Sequence, residues 1–224
     1  MNKLLKISII SAALISSLSA AGKDDPLNYK VTFDALQMKY DNNKDKTFEW
    51  DMNAWLGYDL NKIYIYSEGE RTKNENESEN QIVWSNAIAP YWDIQYGLGI
   101  DKTKENTKNW GVLAFSGMSS YFFEIRTAFL LDDNGNLGLR ASAENEFLLT
   151  QKLRINVNSE LSAYSKDDEK YEIQRGFSSL SLGANLKYEI TKEFAPYIGL
   201  SYDKSFGDNS SSATSLVLGI SLWF

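Results

Sequence analysis

From Asn28 to the C-terminus, apolar and polar residues alternate with a period of two, which places successive side chains on opposite faces of a strand. Between Phe48 and Tyr58, the residues Phe48, Trp50, Met52, Ala54 and Leu56 share one face, while Glu49, Asp51 and Asn53 share the other. Leu137, Leu139, Ala141 and Ala143 likewise oppose Gly138, Arg140, Ser142 and Glu144. The pattern recurs in Leu153–Val157 and Leu180–Tyr188. A soluble sandwich also alternates, so the connections have to decide. Polar linkers at Asp41–Lys46, Thr72–Glu77, Thr103–Lys108, Asp132–Asn136, Ser165–Gly176 and Gly207–Ala213 alternate with tighter joints at Asp59–Asn61, Ala87–Pro90, Gly117–Ser120, Thr150–Gln151 and Thr191–Glu193. That rhythm predicts an all-β, transmembrane antiparallel up-and-down β-barrel of about twelve strands, with short periplasmic turns and longer extracellular loops.

Aromatic residues collect near both sets of connections: Trp55, Tyr58, Tyr91, Trp92, Tyr121, Phe122, Tyr188, Phe194 and Trp223 at the turns, and Tyr40, Phe48, Trp110, Tyr164 and Tyr202 at the loops. Rings with an apolar body and polar edges favour a membrane boundary, so these are expected to form two girdles. The sequence ends on a strand with Leu218, Ile220, Leu222 and Phe224 on one face, resembling the terminal signal read by the outer-membrane assembly machinery.

The first residues read as a cleaved signal peptide, 1–21, ahead of a barrel domain, 22–224. Lys3 and Lys6 precede an apolar run from Ile7 to Ile15, and small residues follow to Gly22. That run is much shorter than the roughly 20 residues a spanning helix needs. The expected location is the outer membrane of a Gram-negative bacterium, in contact with outer-membrane lipid, as a monomer. The chain has no cysteine, which rules out a lipidated leader, disulfides and thiolate metal sites. Its 30 acidic residues exceed 23 basic ones, giving a net charge of −7 that disfavours nucleic acid and suits either cations or simple solubility.

The chain also has no histidine, which removes Ser–His–Asp and Cys–His catalysis and every imidazole metal site. Barrel enzymes such as outer-membrane phospholipases and omptin-type proteases use a histidine, so no enzyme is expected. What remains distinctive is the inward face. Strand phase directs Glu49, Asp51, Glu68, Glu70, Asp93, Glu124, Arg126, Arg140, Glu144, Glu146, Arg154, Glu160 and Glu189 into the lumen. Two readings stand side by side: an electronegative conduit that concentrates cations, or a ladder of Arg–Glu pairs that seals the barrel. Arg126, Arg140 and Arg154, lying among Glu124, Glu144 and Glu160, favour at least a local network. Methionine is the only soft ligand. Met52 falls on the apolar face and Met118 at a turn, whereas Met38 shares the phase of Asp34 and Leu36 and is expected in the lumen.

Three blocks carry a family resemblance: Trp55–Leu56–Gly57–Tyr58–Asp59–Leu60–Asn61 with Ser67–Glu68–Gly69–Glu70; Ala87–Ile88–Ala89–Pro90–Tyr91–Trp92–Asp93–Ile94–Gln95 with Tyr121–Phe122–Phe123–Glu124; and Leu186–Lys187–Tyr188–Glu189–Ile190 through Glu193–Phe194–Ala195–Pro196–Tyr197, with Phe206–Gly207 beyond. In order and spacing these resemble the copper resistance protein B (CopB/PcoB) family of outer-membrane proteins. The resemblance implies a copper-handling barrel with a periplasmic multicopper oxidase as partner. Family members often carry a Met- and His-rich segment before the barrel; here only Gly22–Leu27 precede the first strand, so passage or loose binding of copper ions is expected rather than storage. The candidate ion contacts are Glu49, Asp51, Glu68, Glu70, Asp93 and Met38. A nonspecific small porin, a sealed structural barrel, and a receptor acting through its outer loops are the competing expectations.

Overall fold

A computed structural model describes residues 26–41, 46–73, 75–171, 173–207 and 210–224. The expected signal peptide lies outside the described residues. Twelve strands follow in order: β1 (Asn28–Asp41), β2 (Lys46–Gly57), β3 (Asn61–Arg71), β4 (Asn76–Ala89), β5 (Trp92–Lys102), β6 (Thr107–Met118), β7 (Glu124–Leu131), β8 (Leu137–Leu148), β9 (Leu153–Tyr164), β10 (Gly176–Tyr188), β11 (Phe194–Ser205) and β12 (Ser211–Trp223). Each pairs antiparallel with its chain neighbours, and β1 pairs with β12 to close the barrel. Closure satisfies the backbone groups that an open edge would leave bare in hydrocarbon. The last residue completes the seam, because Phe224 and Val31 exchange two backbone hydrogen bonds at 2.8 and 3.1 Å.

The barrel is inside-out relative to a soluble domain. Leu98, Leu200, Ile82 and Ile198 stand on the outside at about half exposure or more, while Gln81, Gln95, Asn156 and Lys187 are buried within. Only an apolar solvent around the wall makes that arrangement favourable. The turns β2–β3, β4–β5, β6–β7, β8–β9 and β10–β11 sit at one end and the longer connections at the other, as the linker rhythm predicts.

Two expectations fail locally. A bulge inserts one residue into β1, between Phe33 and Ala35 against β2 and between Phe33 and Leu36 against β12. The phase therefore switches: Asp34 and Ala35 both line the lumen, followed by Gln37 and Lys39, and Met38 turns to the outer wall with Leu36. Several girdle aromatics also belong inside. Trp55, Tyr164 and Trp223 line the lumen and Trp110 packs in the apolar cluster within the barrel, with Trp110 2% and Tyr164 7% exposed. Their indole or phenol groups find polar partners there: Trp110 Nε1 donates to Asp101 at 2.6 Å, and the Tyr164 hydroxyl accepts from Arg140 at 2.9 Å. Met118, expected at a turn, ends β6 and faces inward.

Candidate functional site

The lumen encloses a cavity of about 2320 Å³. Every one of the thirteen charged residues assigned inward by strand phase lines it, among them Glu49, Asp51, Glu68, Glu70 and Asp93. Register then organises them. Asp51, Glu68, Glu79 and Asp101 are successive cross-strand partners on β2, β3, β4 and β5. One step nearer the loops, Glu49, Glu70 and Glu77 form a second row on β2, β3 and β4. Directly opposed side chains on neighbouring strands lie about 4.5–5.5 Å apart at Cβ, where like charges repel. Asp93 stands apart, near the turn end of β5, where it accepts a hydrogen bond from Ser85 at 2.8 Å.

The compensation is uneven. Lys39 bridges Glu49 at 2.7 Å and Asp203 at 3.1 Å, and Gln37 donates to the other Glu49 oxygen at 2.6 Å. Arg140 holds Glu79 at 2.5 Å and Asp101 at 2.6 Å. Among the described residues no cation is bridged to Asp51, Glu68, Glu70 or Glu160. Asp51 lies in the repulsive field of Glu68, Asp34, Glu160 and Glu144, which come from several strands around the lumen. With Asp34, Asp93 and Glu124, which also line the lumen with no cation bridged among the described residues, this central group is uncompensated. Glu49, with its lysine and amide partners, is not.

The arginines form a network, but not with the acids that chain proximity suggests. Arg126 reaches Gln81 at 2.6 Å and Gln95 at 3.1 Å and lies over the Tyr66 ring. Arg154 pairs with Glu146 and Glu189, and Lys187 also holds Glu146 at 3.0 Å. Around Arg126 and Arg140, Val83, Trp110, Val112, Ala114, Ala128, Leu130 and Tyr164 pack into an apolar cluster inside the barrel. One sector of the lumen is therefore filled and cross-braced. A braced sector and carboxylates without a bridged cation occupy one interior.

Glu77, Glu79 and Asp101 escape the sequence reading although they complete both acidic rows. The alternation Glu77, Glu79, Gln81, Val83, Ser85 is present in the chain, but it begins in a stretch that also looks like a polar loop. Among the described residues no three acidic side chains converge as ready-made metal ligands. The lining offers carboxylates in a cross-strand ladder rather than a convergent chelating set.

Outside comparisons agree with this architecture. The NanC porin superposes with a TM-score of 0.57 at 15% identity, and the KdgM porin with 0.55 at 11%; each alignment covers 87% of this chain and 99% of the other. At such identities the likeness speaks for the barrel fold alone. Copper resistance protein B of Escherichia coli is 36% identical over 191 residues, which is 85% of this chain and 64% of that protein, so the chain spans somewhat under two thirds of that relative. A copper resistance protein B homolog of Pseudomonas syringae pv. tomato is 30% identical over 211 residues, 90% of this chain and 71% of the other. The model described as copper resistance protein B precursor matches residues 27–224, the entire barrel. By these matches the chain belongs to the copper resistance protein B family.

Proposed function

We propose that this barrel sits in the outer membrane and lets copper ions pass through, or loosely collect in, its acidic lumen. The observation that carries the reading is the uncompensated group Asp51, Glu68, Glu70 and Glu160, set around a cavity of about 2320 Å³. Four carboxylates without bridging cations focus a negative field inside low-dielectric walls and raise the local concentration of divalent cations. Divalent copper stands high in the affinity order for oxygen ligands, yet a ladder without convergent donors releases it quickly. Family membership supports copper as the cargo. Met38 is on the outer wall, so the proposed contacts are oxygen atoms alone.

Purified protein in liposomes loaded with a copper-responsive dye tests this. Wild type is expected to admit Cu²⁺, and the combined Asp51→Asn, Glu68→Gln, Glu70→Gln, Glu160→Gln variant to admit it at least about tenfold more slowly. Neutralising opposed carboxylates removes repulsion of about 0.2–1 kcal/mol per pair, so the variant barrel stays folded and slow entry reports on charge. Equal copper entry by the two proteins, or none by wild type, defeats the proposal. Planar-bilayer conductance separates the rivals: a sealed barrel is silent, and a nonspecific porin passes small sugars as readily as cations.

A further inference from the structure

The connection between β9 and β10, described at residues 165–171 and 173–175, does not loop away into solvent. It is fastened across the outer mouth at three other connections. Over the β7–β8 connection, Leu137 N donates to Ser165 Oγ at 2.8 Å, Ser165 Oγ donates to Asn136 at 3.0 Å, and Lys166 Nζ donates to the Asn134 carbonyl at 2.9 Å. Over the β5–β6 connection, the Tyr171 hydroxyl donates to the Thr107 carbonyl at 2.7 Å, and Asn106 Nδ2 donates to the Lys170 carbonyl at 3.1 Å. Toward β11–β12, Gln174 lies so close to Gly207 that a Cβ there would overlap its side-chain amide.

The middle of the segment points down. Ile173 is 8% exposed and joins the apolar cluster around Trp110 and Tyr164 inside the barrel. Lys108, on the inner face of β6, fixes this in place: its Nζ is 2.6 Å from Asp168 and 3.0 Å from Asp132, between the rings of Trp110 and Tyr171 at 4.8 and 5.0 Å. Asp167, Tyr171, Ile173, Gln174 and Arg175 all line the cavity. Lys108 thus links the strap to the wall through a charge pair, a second acid on another connection, and two ring faces.

We propose that residues 165–171 and 173–175 form a latched strap that sets the size limit of the outer entrance, admitting hydrated ions and excluding larger solutes, with Lys108 as the latch and Ile173 as its apolar foot. The inference rests on the reading of the lumen as a passage but not on copper being the cargo. The test is planar-bilayer conductance of the full chain, with polyethylene glycols of increasing size as probes of the entrance. Lys108→Met removes the latch and Ile173→Ser removes the foot; Lys108→Arg keeps both acid partners and serves as the conservative control. Each of the first two is expected to raise single-channel conductance roughly twofold or more and to admit larger polymers, while Lys108→Arg stays at the wild-type value. Because the two disruptive variants act at separate points, failure of one to assemble leaves the other to decide. Wild-type conductance and an unchanged polymer limit in the disruptive variant that assembles would overturn the strap. A wild-type barrel that conducts potassium but not copper, with larger polymers admitted by Ile173→Ser, would sink the copper reading and leave the strap standing.

Discussion

A lysine side chain only 5% exposed has surrendered most of its hydration, and Lys108 is stable there because two carboxylates and two ring faces replace the lost water. Its partner Asp132, just beyond β7, is 1% exposed at its side chain. Burial alone would raise that carboxyl, but the backbone N–H of Asn136 at 2.7 Å, the Lys108 ammonium and the backbone N–H of Asn134 at 2.9 Å outweigh it and hold Asp132 below the usual carboxylate range. The sign follows from linkage: a carboxyl whose folded value is depressed adds stability above its unfolded value and loses it as pH falls through the folded one. Protection of the 132–136 connection against proteolysis should therefore be flat near neutral pH and decline only under acid conditions, below the ordinary aspartate range. Asp132→Asn should remove the acid-dependent step and, by leaving a buried ammonium short of one partner, cost about 3–5 kcal/mol of local stability. Amide exchange at Asn134 and Asn136 as a function of pH reads both effects; an identical profile in wild type and variant would show that the pair does not hold the connection.

Strands are where the sequence was most and least informative. Alternation in Phe48–Tyr58 and Leu180–Tyr188 is uninterrupted, so phase assigned Glu49, Asp51 and Glu189 inward without error. Alternation counts residues, however, and one inserted residue inverts everything beyond it. That is how Met38 came to be expected in the lumen while Lys39 and Gln37 actually occupy it. The aromatics fail for a different reason: Trp110 and Tyr164 lie near the loop ends, as membrane-facing girdle residues do, and only strand phase plus a buried acid at Asp101 tells the two roles apart. The acidic rows were half legible, because β2 and β3 declare their phase and β4 starts inside an apparent loop. The bulge makes a sharp prediction. Asp34 is the unpaired residue against β2, so deleting it restores regular alternation, with Phe33 outward, Ala35 inward and Leu36 outward. Deleting Met38 instead offers no such repair: losing the bulge then turns Leu36 inward and Gln37 outward, and keeping it turns Lys39 outward and away from Glu49. The Asp34 deletion should assemble into a heat-modifiable barrel and the Met38 deletion should not; gel migration of folded and boiled samples distinguishes them. Equal assembly of both deletions would mean that the register of β1 is not set by its outward residues.

Across the whole barrel, the charge on the inner wall decides which ions the lumen would favour. The braced sector around Arg126 and Arg140 is closed to them, and its guanidinium groups are committed to Gln81, Gln95, Glu79 and Asp101. The short-turn end carries its own pairs, Arg154 and Lys187 with Glu146 and Glu189. Subtracting those commitments leaves a lumen whose unbalanced charge is negative and concentrated around Asp51, Glu68 and Glu160. Such a field should make the open barrel cation-selective under a potassium chloride gradient. It should also weaken with salt, because the screening length falls from about 30 Å at 0.01 M to about 3 Å at 1 M, from wider than the lumen to narrower than the gap between neighbouring strands. Reversal potentials at the same concentration ratio should thus approach the ideal cation value in dilute salt and drift toward zero in concentrated salt. The same drift should be largely absent in the fourfold neutralised variant, which starts near zero. Anion selectivity in dilute salt, or a preference that ignores ionic strength, would mean that the arginines rather than the bare carboxylates govern the lumen, and the acidic rows would then be a packing feature with no part in ion passage.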